Sequence, residues 1–400
     1  MPDGIEPLSV ALAHRIADIN AAAWDACAGV EGAAEGNPFV SHAFLSALED
    51  SGSVGTKTGW APHHLIVKDA GGRLLGAAPM YLKGHSYGEY VFDWGWAEAY
   101  ERAGGQYYPK LQVSVPFTPV AGPRLMVRGG CAGELSATVQ RTLIDAIQGI
   151  ARENKLSSAH VTFPTEAEWT RLGEAGWLQR TGQQFHWENR GYATFDDFLG
   201  ALASRKRKTI RKERQDVAAS GVTIRPLTGD ALKPEHWDAF HRFYIATSEH
   251  KWGHPYLTRE FFHRIGETMA DQIVLMFAED GGRPIAGALN LMGGGVLYGR
   301  NWGSLGEYRF LHFEACYYQA IEFAIRHGLR RVEAGAQGPH KIQRGYLPSP
   351  TYSAHWIADP RFRAAVENFL DRERRHVADE MQELGEYSPF RKDQTNEPPA

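Results

Sequence analysis

The chain has 400 residues, of which 43% are hydrophobic and 12% aromatic, and its formal net charge is −4 at pH 7. A chain of this length usually forms two globular domains, and the small net charge excludes a protein that binds nucleic acid or membranes with its whole surface. The sequence contains no run of about 18 apolar residues and no secretory pattern in MPDGIEPLSVALAHRIADIN, so we predict a cytoplasmic protein without a transmembrane helix.

The first quarter of the chain predicts two helices followed by strands. A helical region is expected from about Ser9 to Ala28, and a second helix begins after Ser41, its N-cap. In HHLIVKDAGGRLLGAAPMYLKGHSYGEYVFDWGW, two apolar runs flank Ala70-Gly71-Gly72, and a third ends in Trp94 and Trp96. This pattern predicts a meander of three antiparallel strands.

A segment rich in Tyr, Pro and Gly follows, AYERAGGQYYPKLQVSVPFTPVAGPRLM, and it has the composition of a functional loop. The next segment predicts a helix from about Glu134 to Asn154, because apolar residues recur there at helical spacing. These residues are Leu135, Val139, Leu143, Ile147 and Ile150. A predicted strand, SAHVTFP, completes this half.

The same order of elements returns in the second half. QIVLMFAEDGGRPIAGALNLMGGGVLYGRNWG again places two apolar runs around a Gly-Gly-Arg turn and ends in a third strand. A helix is predicted from about Phe310 to His327, with Gly328 at its C′ position, and the strand RRVEAG follows. Because meander, helix and strand occur twice, the chain is predicted to be a tandem duplication.

A dense group of basic residues lies between the two halves, in FDDFLGALASRKRKTIRKERQDVAASG. Apolar residues at helical spacing predict one short helix, ended by Gly221. Its basic residues are Arg205, Lys206, Arg207, Lys208, Arg211, Lys212 and Arg214. Most charge runs of this kind are solvated helix faces, but so dense a patch in an acidic chain also predicts a surface that binds a polyanion.

The C-terminal region predicts a long helix and a tail. The helix is expected from about Pro360 to Leu384, with Phe362, Val366, Phe369, Leu370, Val377 and Met381 facing inward. From Pro389 onward the chain is polar and contains proline, so a disordered tail is expected.

The stretch EAGAQGPHKIQRGYLPSPTYSAHW, residues 333–356, carries the main candidate for an active site. It is predicted to begin as an irregular loop, the kind of segment that often holds catalytic side chains. The candidate catalytic residues are Glu333, His340, Lys341, Arg344 and Tyr346. The two cations could offset the charge of an oxyanion or a phosphate, and the other three could accept or relay a proton. The alternative is a surface connector whose cations are only solvated.

A second group of residues is predicted around the helix that begins near Phe310. If the strand that ends at Asn301-Trp302 lies beside RRVEAG, the loop 303–308 leads into the N-terminus of this helix, whose free N–H groups suit a phosphate or a carboxylate. Arg300 and Arg309 flank the loop. We therefore expect an anion to bind here.

Several familiar catalytic motifs are absent from the sequence or out of place. Gly84-His85-Ser86-Tyr87-Gly88 matches the G-x-S-x-G nucleophile motif, but it lies between two predicted strands and is interpreted as a chance match. No Walker loop, dinucleotide motif, H-E-x-x-H or calcium loop occurs. The three cysteines form no metal-ligand pair, and His340 and His355 lack ligand spacing, so we expect reduced thiols and no metal site.

Five blocks of the sequence carry a resemblance to a known family. They are YGEYVFDWGWAEAYERAGGQYYPKLQVSVPFTPVAGPRLM, SRKRKTIRKER, KWGHPYLTREFF, FLHFEACYYQAIEFAIRHGLRRVEAGAQGPHKIQRGYLP and TYSAHW. They resemble the bacterial FemAB-like proteins of "peptidoglycan biosynthesis/recognition", which are predicted N-acyltransferases of the GNAT superfamily. The resemblance runs from about Asn37 to Trp356.

The resemblance implies an α+β fold with a mixed sheet and two tandem GNAT-like lobes of the FemAB type. The limits expected from it are 1–190 for the first lobe with its N-terminal helices, 191–222 for a basic helical connector, 223–388 for the second lobe with the active site, and 389–400 for a disordered tail.

The resemblance also implies roles for particular residues. The better-known Fem transferases use aminoacyl-tRNA to add amino acids to the peptidoglycan precursor, and a lysine after the last strand of their second lobe is thought to assist the reaction. Lys341 occupies the similar place, and RKRKTIRK resembles their basic arm. The pyrophosphate loop of GNAT enzymes that use acyl-CoA, [QR]-x-x-G-x-[GA], is matched loosely by Arg300, Asn301, Trp302, Gly303 and Gly306. The donor could therefore be acyl-CoA or aminoacyl-tRNA, and no permanently bound cofactor is expected.

Together these features predict an N-acyltransferase that moves an acyl or aminoacyl group to an amine, linked to modification of a peptidoglycan precursor. The acceptor would be a small molecule or the precursor itself. The alternative is a non-catalytic protein that binds a cell-wall precursor or a nucleotide ligand on the duplicated scaffold. Its aromatic residues Trp94, Trp96, Tyr100, Tyr107, Tyr108 and Phe117 would suit ring stacking, unless they pack between the lobes.

Overall fold

The structure is a computed structural model that describes residues 7–30, 35–251, 255–336 and 338–391. Two predicted features fall partly outside these ranges, namely the tail beyond residue 391 and residues 252–254 of the block KWGHPYLTREFF. None of the helices within the described ranges combines the length and apolarity that crossing a membrane requires.

Helices and strands are mixed along the chain. The strands are β1 (Ser9–Ala13), β2 (Trp60–Pro62), β3 (His64–Lys68), β4 (Leu74–Ala78), β5 (Met80–Lys83), β6 (Lys110–Val113), β7 (Met126–Val127), β8 (Ser158–Thr162), β9 (Leu178–Glu188), β10 (Val222–Leu227), β11 (Ile273–Asp280), β12 (Arg283–Gly293), β13 (Val296–Ser304), β14 (Arg331–Glu333) and β15 (Leu347–Ile357). The α-helices are α1 (Ala21–Ala28), α2 (His42–Asp50), α3 (Trp94–Arg102), α4 (Gly133–Glu153), α5 (Glu166–Glu174), α6 (Phe195–Ala201), α7 (Ser204–Ala219), α8 (Pro234–Lys251), α9 (Arg259–Thr268), α10 (Leu311–Phe313), α11 (Gln319–Arg326) and α12 (Pro360–Glu386).

Contacts between residues divide the chain into two compact units. The first comprises Met1–Gly182 and Thr351–Val377, and the second comprises Gln183–Pro350 and Ala378–Ala400. Sequence reasoning followed the order of the chain and so did not expect Thr351–Val377 to belong with the first unit. The limits predicted for the two lobes stay a prediction.

The first unit contains two sheets and a helix that packs on them. The strand order is β1-β3-β4-β7 in one sheet and β15-β8-β6-β5-β2 in the other. β6 and β8 are parallel, with Leu111 opposite Ala159. Parallel neighbours need a crossover connection, and α4 lies on it. The predicted helix is therefore confirmed, and Val139, Leu143 and Ile147 are buried along its apolar stripe.

Three predictions for the first unit are wrong. Ser9–Ala13, expected to be helical, forms β1, because it pairs along its whole length with β3. The third predicted strand does not reach Trp94, since β5 ends at Lys83 and Trp94 begins α3. The supposed functional loop contains the buried strand β6.

The predicted meander of the first unit also divides between the two sheets. β4 pairs with β3 in one sheet, whereas β5 pairs with β2 and β6 in the other. Pro79 stands between β4 and β5. Proline has no N–H to donate to a ladder, so the strand is interrupted there and the chain can change sheets.

The second unit has one sheet, in the order β10-β11-β12-β13-β14-β9. The predicted antiparallel meander is confirmed as β11, β12 and β13. β13 and β14 are parallel neighbours, from Val296 opposite Arg331 to Tyr298 opposite Glu333. The predicted helix between them runs from Leu311 to Arg326, and Glu314–Tyr318 within it forms a π-helical turn. A parallel strand pair joined by a helix thus occurs in each unit, which confirms the helix and the strand of the predicted repeat. The predicted meander is continuous only in the second unit.

The basic segment forms two helices, α6 and α7, instead of the predicted one. The break falls at Leu202, which is buried and forms a β-bridge with Phe390, while the N–H of Ala203 donates to the carbonyl of Pro389. These contacts hold the start of the predicted tail, so disorder from Pro389 onward is wrong for 389–391. The predicted C-terminal helix is confirmed as α12, although its Phe369 is exposed.

Candidate active site

Strands β13 and β14 separate after three residue pairs. β14 ends at Glu333, whereas β13 continues to Ser304, beyond the predicted end at Trp302. Opposite Trp302 lies Ala288, but opposite Gly299 lies Asn290, so β13 contains one extra residue relative to β12. Bulges of this kind are frequent beside active sites because they redirect side chains. The predicted adjacency of the two strands is confirmed.

Glu333 is buried between its neighbouring strands, with Tyr298 opposite it on β13 and His186 opposite it on β9. Its Oε2 lies 3.8 Å from Nε2 of His186 and has no hydrogen-bond partner among the described residues. Burial raises the pKa of Glu333 to about 7, although the guanidinium of Arg331 opposes this rise. A carboxyl group that titrates near neutral pH and has an oxygen atom available is suited to accept a proton.

Lys341 lies on the 3-10 helix Pro339–Arg344, in a stretch that was predicted to be irregular. Its buried Nζ donates hydrogen bonds to the carbonyl oxygens of Ala334, at 2.5 Å, and Gly335, at 3.1 Å. Both carbonyls directly follow Glu333. Burial lowers the pKa of Lys341 to about 8. An ammonium group has three N–H donors, so one remains for a ligand.

His186 lies directly beside Glu333, and sequence reasoning did not find it. Burial, together with the charges of Arg331 and Lys341, lowers the pKa of His186 to about 3. The imidazole is therefore neutral at pH 7, and its Nδ1 has no hydrogen-bond partner among the described residues. A single histidine within a strand gives no signal in the sequence, so only the pairing of β9 with β14 reveals it.

Arg344 and Tyr346 hold the 3-10 helix in place. Nη2 of Arg344 donates to both carboxylate oxygens of Glu213 at 2.9 Å, and Nη1 donates to the carbonyl oxygen of His340 at 2.8 Å. Tyr346 is fully buried, and its hydroxyl donates to the carbonyl oxygen of Tyr317 at 3.3 Å. These contacts orient the segment that carries Lys341.

His340 is half-buried beside the π-helical turn. Its Nε2 lies 3.0 Å from the hydroxyl oxygen of Tyr317, and burial lowers the pKa of the imidazole. Interruptions of this kind in α-helices are frequent at functional sites. Of the five predicted catalytic residues, the structure thus brings Glu333 and Lys341 together at the end of β14 and places His340 beside the π-helical turn, while their catalytic roles stay a prediction.

Glu213 is a second residue that sequence reasoning missed. It is buried on α7, where it binds Arg344 and accepts a hydrogen bond from the hydroxyl of Tyr318. A signal was present, because Glu213 stands at helical spacing between the buried Ile210 and Val217. An acidic residue on an apolar stripe indicates a buried partner of opposite charge.

The residues predicted to bind the donor divide into two groups. Arg300, Asn301 and Trp302 lie half-buried on β13, and the ring centroid of Trp302 is 5.4 Å from that of His312. Gly306 and Arg309 are exposed in the loop that follows. The N–H of Leu311, the first residue of the helix, donates to the carbonyl of Tyr308 at 3.2 Å and is therefore not available to an anion.

Packing alone explains why position 303 is a glycine, without any contact to an acyl donor. A Cβ atom at this position would lie 2.3 Å from the carbonyl carbon of Phe243 on α8. We expect Gly303→Ala to lower the free energy of unfolding by about 1–3 kcal/mol, measured as a shift in the denaturant midpoint. Gly306→Ala is the control, because its Cβ would meet only a ring atom of Tyr308, at 3.5 Å. Equal losses in the two variants would contradict this explanation.

A cavity of about 340 Å³ lies beside this loop. Its lining includes Tyr308, Arg309 and Leu311 from the loop and helix start, and Asp216 and Ser220 from the end of α7. Asp216 Oδ2 is 3.9 Å from Nη1 of Arg309, so the guanidinium is partly neutralised and the carboxylate would repel a phosphate. The cavity thus lacks the charge of an anion site.

The basic side chains of α7 are accessible. Arg205, Lys208, Arg211 and Lys212 are exposed, and Lys206 and Arg207 are half-buried. Arg211 forms an exposed ion pair with Asp196 at 3.0 Å. Arg214 instead points inward, where it pairs with Glu314 and Glu322. Within the described ranges, no group of three or more His, Cys, Asp or Glu residues is arranged to hold a metal ion.

Comparison with protein families identifies the family of this chain. Residues 15–392 match the FemAB-like family, whose description is peptidoglycan biosynthesis/recognition. The chain belongs to the FemAB-like family. The match covers both units, and it includes every residue predicted for catalysis, donor binding and polyanion binding. No curated protein matches the chain.

Solved structures support the fold of this FemAB-like protein. FemX is 12% identical, with a TM-score of 0.54 over 87% of this chain and 98% of FemX. L-PGS from Bacillus licheniformis is 9% identical, with a TM-score of 0.50 over 84% of this chain and 98% of that chain. A weaker likeness, with a TM-score of 0.47 and 13% identity over 88% of this chain and 99% of the other, is to a tandem GNAT protein from the clavulanic acid biosynthesis pathway. The predicted two-lobed fold is confirmed, since each unit has a parallel strand pair joined by a helix and FemX matches over 87% of this chain.

Proposed function

We propose that the second unit transfers an acyl or aminoacyl group from an activated donor to an amine of a small molecule or a peptidoglycan precursor. The observation that carries this proposal is the position of Glu333 and Lys341 where β13 and β14 separate. One is an acid whose pKa is raised to about 7, and the other is a base whose pKa is lowered to about 8. Oppositely shifted pKa values of this kind mark acid and base roles.

The reaction forms a C–N bond and breaks the bond between the acyl carbon and its leaving group. The amine attacks the carbonyl carbon, and the carbonyl oxygen becomes an oxyanion, to which Lys341 donates its remaining N–H. Glu333 takes the proton that the amine loses on bond formation. The leaving group, a thiol or a ribose hydroxyl, departs with a proton returned from Glu333. Holding both substrates in this geometry lowers the barrier further.

Glu333 is the better candidate base than His340. The carboxyl group is ionised to a useful extent at pH 7, whereas burial lowers the pKa of His340 and reduces its proton affinity. His186, directly beside Glu333, is available to relay the proton because its imidazole is neutral at pH 7. Arg344 acts through the turn that carries Lys341, since both of its terminal nitrogen atoms are already bound.

A panel of donors tests the proposal. Purified protein is incubated with acetyl-CoA, longer acyl-CoA or charged tRNA, each with and without an amine acceptor such as a muramyl pentapeptide, and the products are measured by mass spectrometry. Donor consumption that depends on the acceptor and forms an amide supports transfer. Tight binding of a precursor or nucleotide with no amide from any donor would favour the alternative of a non-catalytic binding protein.

We further propose that the exposed face of α7 binds the phosphates of a polyanionic donor such as aminoacyl-tRNA. Arg205→Gln, Lys208→Gln and Arg211→Gln together are expected to reduce the slope of log affinity against log salt for uncharged tRNA by about one unit per lost contact. The affinity is measured by filter binding over a range of salt concentrations.

The control for the α7 variant removes the same number of positive charges from a different helix. Arg361, Arg372 and Arg375 are exposed on α12, and their replacement by Gln removes the same charge. We expect this variant to bind tRNA with the slope of the unaltered protein. If both triple variants lowered the slope equally, the net charge and not α7 would determine binding, and α7 would be a solvated helix face.

A further inference from the structure

The segment from Gly84 to Gly95 in the first unit, here called the aromatic loop, has its polarity inverted. Ser86, Glu89 and Asp93 are buried, whereas aromatic residues between them are exposed. Loops of soluble proteins normally expose their polar groups and bury their apolar ones. A loop that buries its charged residues and exposes its aromatic rings therefore indicates that the exposed rings have a function.

Lys110 holds the inner side of the aromatic loop. It is fully buried on β6, and its Nζ donates hydrogen bonds to Ser86 Oγ at 2.8 Å, Glu89 Oε2 at 2.8 Å and Asp93 Oδ2 at 2.5 Å. The hydroxyl of Tyr107 also donates to Asp93, at 2.7 Å. Buried charges are stable only when they are paired and hydrogen-bonded in this way. The network thus fixes three points of the loop to one strand.

A second buried lysine fixes the loop at its start. Lys83, the last residue of β5, donates a hydrogen bond to the carbonyl oxygen of Tyr87 at 3.1 Å, and its Nζ lies 3.5 Å from the ring centroid of Trp60. The serine of the G-x-S-x-G string, Ser86, is thus a buried ligand of Lys110 and no exposed nucleophile. It precedes α3 and not a strand, which corrects the context expected from the sequence.

The outer side of the aromatic loop carries four exposed rings. The exposed fractions are 54% for Tyr87, 40% for Tyr90, 60% for Phe92 and 38% for Trp94. Nine large hydrophobic residues are exposed in the described part of the chain, so nearly half of them lie within eight consecutive positions. Every charged residue of the loop itself is buried, and the guanidinium of Arg180, which donates to the carbonyl oxygen of Phe92 at 2.8 Å, is paired with Glu373.

We propose that the aromatic loop docks onto the interfacial region of a lipid bilayer with net-neutral headgroups. Aromatic side chains with polar edges, Tyr and Trp above all, favour the boundary between headgroups and acyl chains. Because the loop itself exposes no charged side chain, it does not depend on anionic lipid for its attraction. Contact of this kind is peripheral, and it is independent of the reaction proposed for the second unit.

Two observations favour a lipid surface over other occupants. The four rings expose roughly 400 Å² in total, about half of the 800 Å² that each partner buries in a stable protein interface. The rings of Tyr87 and Trp94 meet at 64°, and those of His85 and Tyr87 at 71°, so they do not form a flat platform on which a sugar could stack. A fluid interface accepts rings at any angle.

Sedimentation with phosphatidylcholine vesicles tests the proposal. The full chain is mixed with neutral vesicles at about 1 M salt, where the Debye length is about 3 Å and attraction through α7 is suppressed. We expect the protein to sediment with the vesicles, and Phe92→Ser with Trp94→Ser to lower the partition coefficient at least tenfold. Tyr387→Ser is the matched control, because this ring is 71% exposed and lies outside the loop, and it should bind as the unaltered protein does.

Further measurements distinguish the loss of the exposed rings from misfolding of the variants. Circular dichroism and melting establish that each variant is folded, and Tyr87→Ser with Tyr90→Ser serves as a second pair. Vesicles with brominated acyl chains should quench tryptophan fluorescence less in the variant that lacks Trp94. The proposal is overturned if the unaltered protein does not bind neutral vesicles, if Tyr387→Ser weakens binding as much as the loop variants, or if the loop variants only abolish self-association. These readouts do not involve acyl transfer, so failure of the proposed function leaves them unaffected.

Discussion

Lys341→Met is expected to lower kcat about 100-fold or more with the donor and acceptor that the screen identifies. Removing one preformed donor to an oxyanion typically costs a factor of about 10²–10³. Methionine keeps most of the volume of the buried side chain but donates no hydrogen bond, so binding of the substrates should change little. The result would be a fall in kcat with KM within about twofold, which identifies an interaction made mainly in the transition state.

The pH dependence gives a sharper form of the same prediction. Glu333 must be ionised to accept a proton, so activity should rise as the pH passes about 7. Lys341 must be protonated to stabilise the oxyanion, so activity should fall as the pH passes about 8. We therefore expect a narrow bell for kcat/KM between these two values. Glu333→Gln should remove the acidic limb together with most of the activity.

Lys341→Arg separates charge from titration. Arginine stays protonated throughout the range, so any residual activity of this variant should lack the alkaline limb. Lys233→Met is the control, because Lys233 is an exposed lysine of the same unit outside the candidate site. Turnover by Lys341→Met within about twofold of the unaltered protein, well under 1 kcal/mol, would show that Lys341 has no part in the chemistry.

Glu213→Ala is expected to lower the free energy of unfolding by about 3–5 kcal/mol, because it leaves the buried guanidinium of Arg344 without its carboxylate. Tyr318 loses its acceptor in the same variant. The change is measured as the shift in the denaturant midpoint. Since Arg344 also holds the carbonyl of His340, loss of Glu213 should disturb the 3-10 helix and lower turnover as well.

A matched pair of variants shows whether burial is the cause. Asp196→Ala removes a carboxylate that pairs with Arg211 at the surface, where the expected cost is at most about 1 kcal/mol. Replacing both Glu213 and Arg344 by methionine should restore much of the lost stability, since a buried ion pair often can be exchanged for apolar side chains. Equal losses for Glu213→Ala and Asp196→Ala would mean that the buried pair contributes no more than an exposed one.

Local patterns predicted much of the fold. The stripe of Val139, Leu143 and Ile147 predicts α4, and the Gly-Gly turn at 281–282 predicts the hairpin of β11 and β12. Both predictions succeed because the contacts that form these elements lie within one helix or between strands that are neighbours in the chain. The same reasoning failed at Ser9–Ala13. The partner of that strand is β3, about fifty residues later, and no local pattern in the sequence indicates this pairing.

The candidate site divides in the same way. Glu333, His340 and Lys341 could be selected from one stretch of sequence, since they follow a strand in a pattern shared with a known family. The pKa values that suit these residues to proton transfer could not be predicted from the sequence. The raised pKa of Glu333 and the lowered pKa of Lys341 both result from burial, which depends on how distant segments pack around them.

The sequence by itself determined the repeated order of elements, the basic face of α7 and the residue types at the end of β14, because these follow from periodicity and from neighbours in the chain. Only the tertiary structure decided that Arg344 is paired with Glu213, 131 positions away, and that the aromatic loop hides its charges around Lys110. The physical reason is that solvation and pairing of a side chain are properties of its surroundings in space, whereas propensity and pattern are properties of the chain alone.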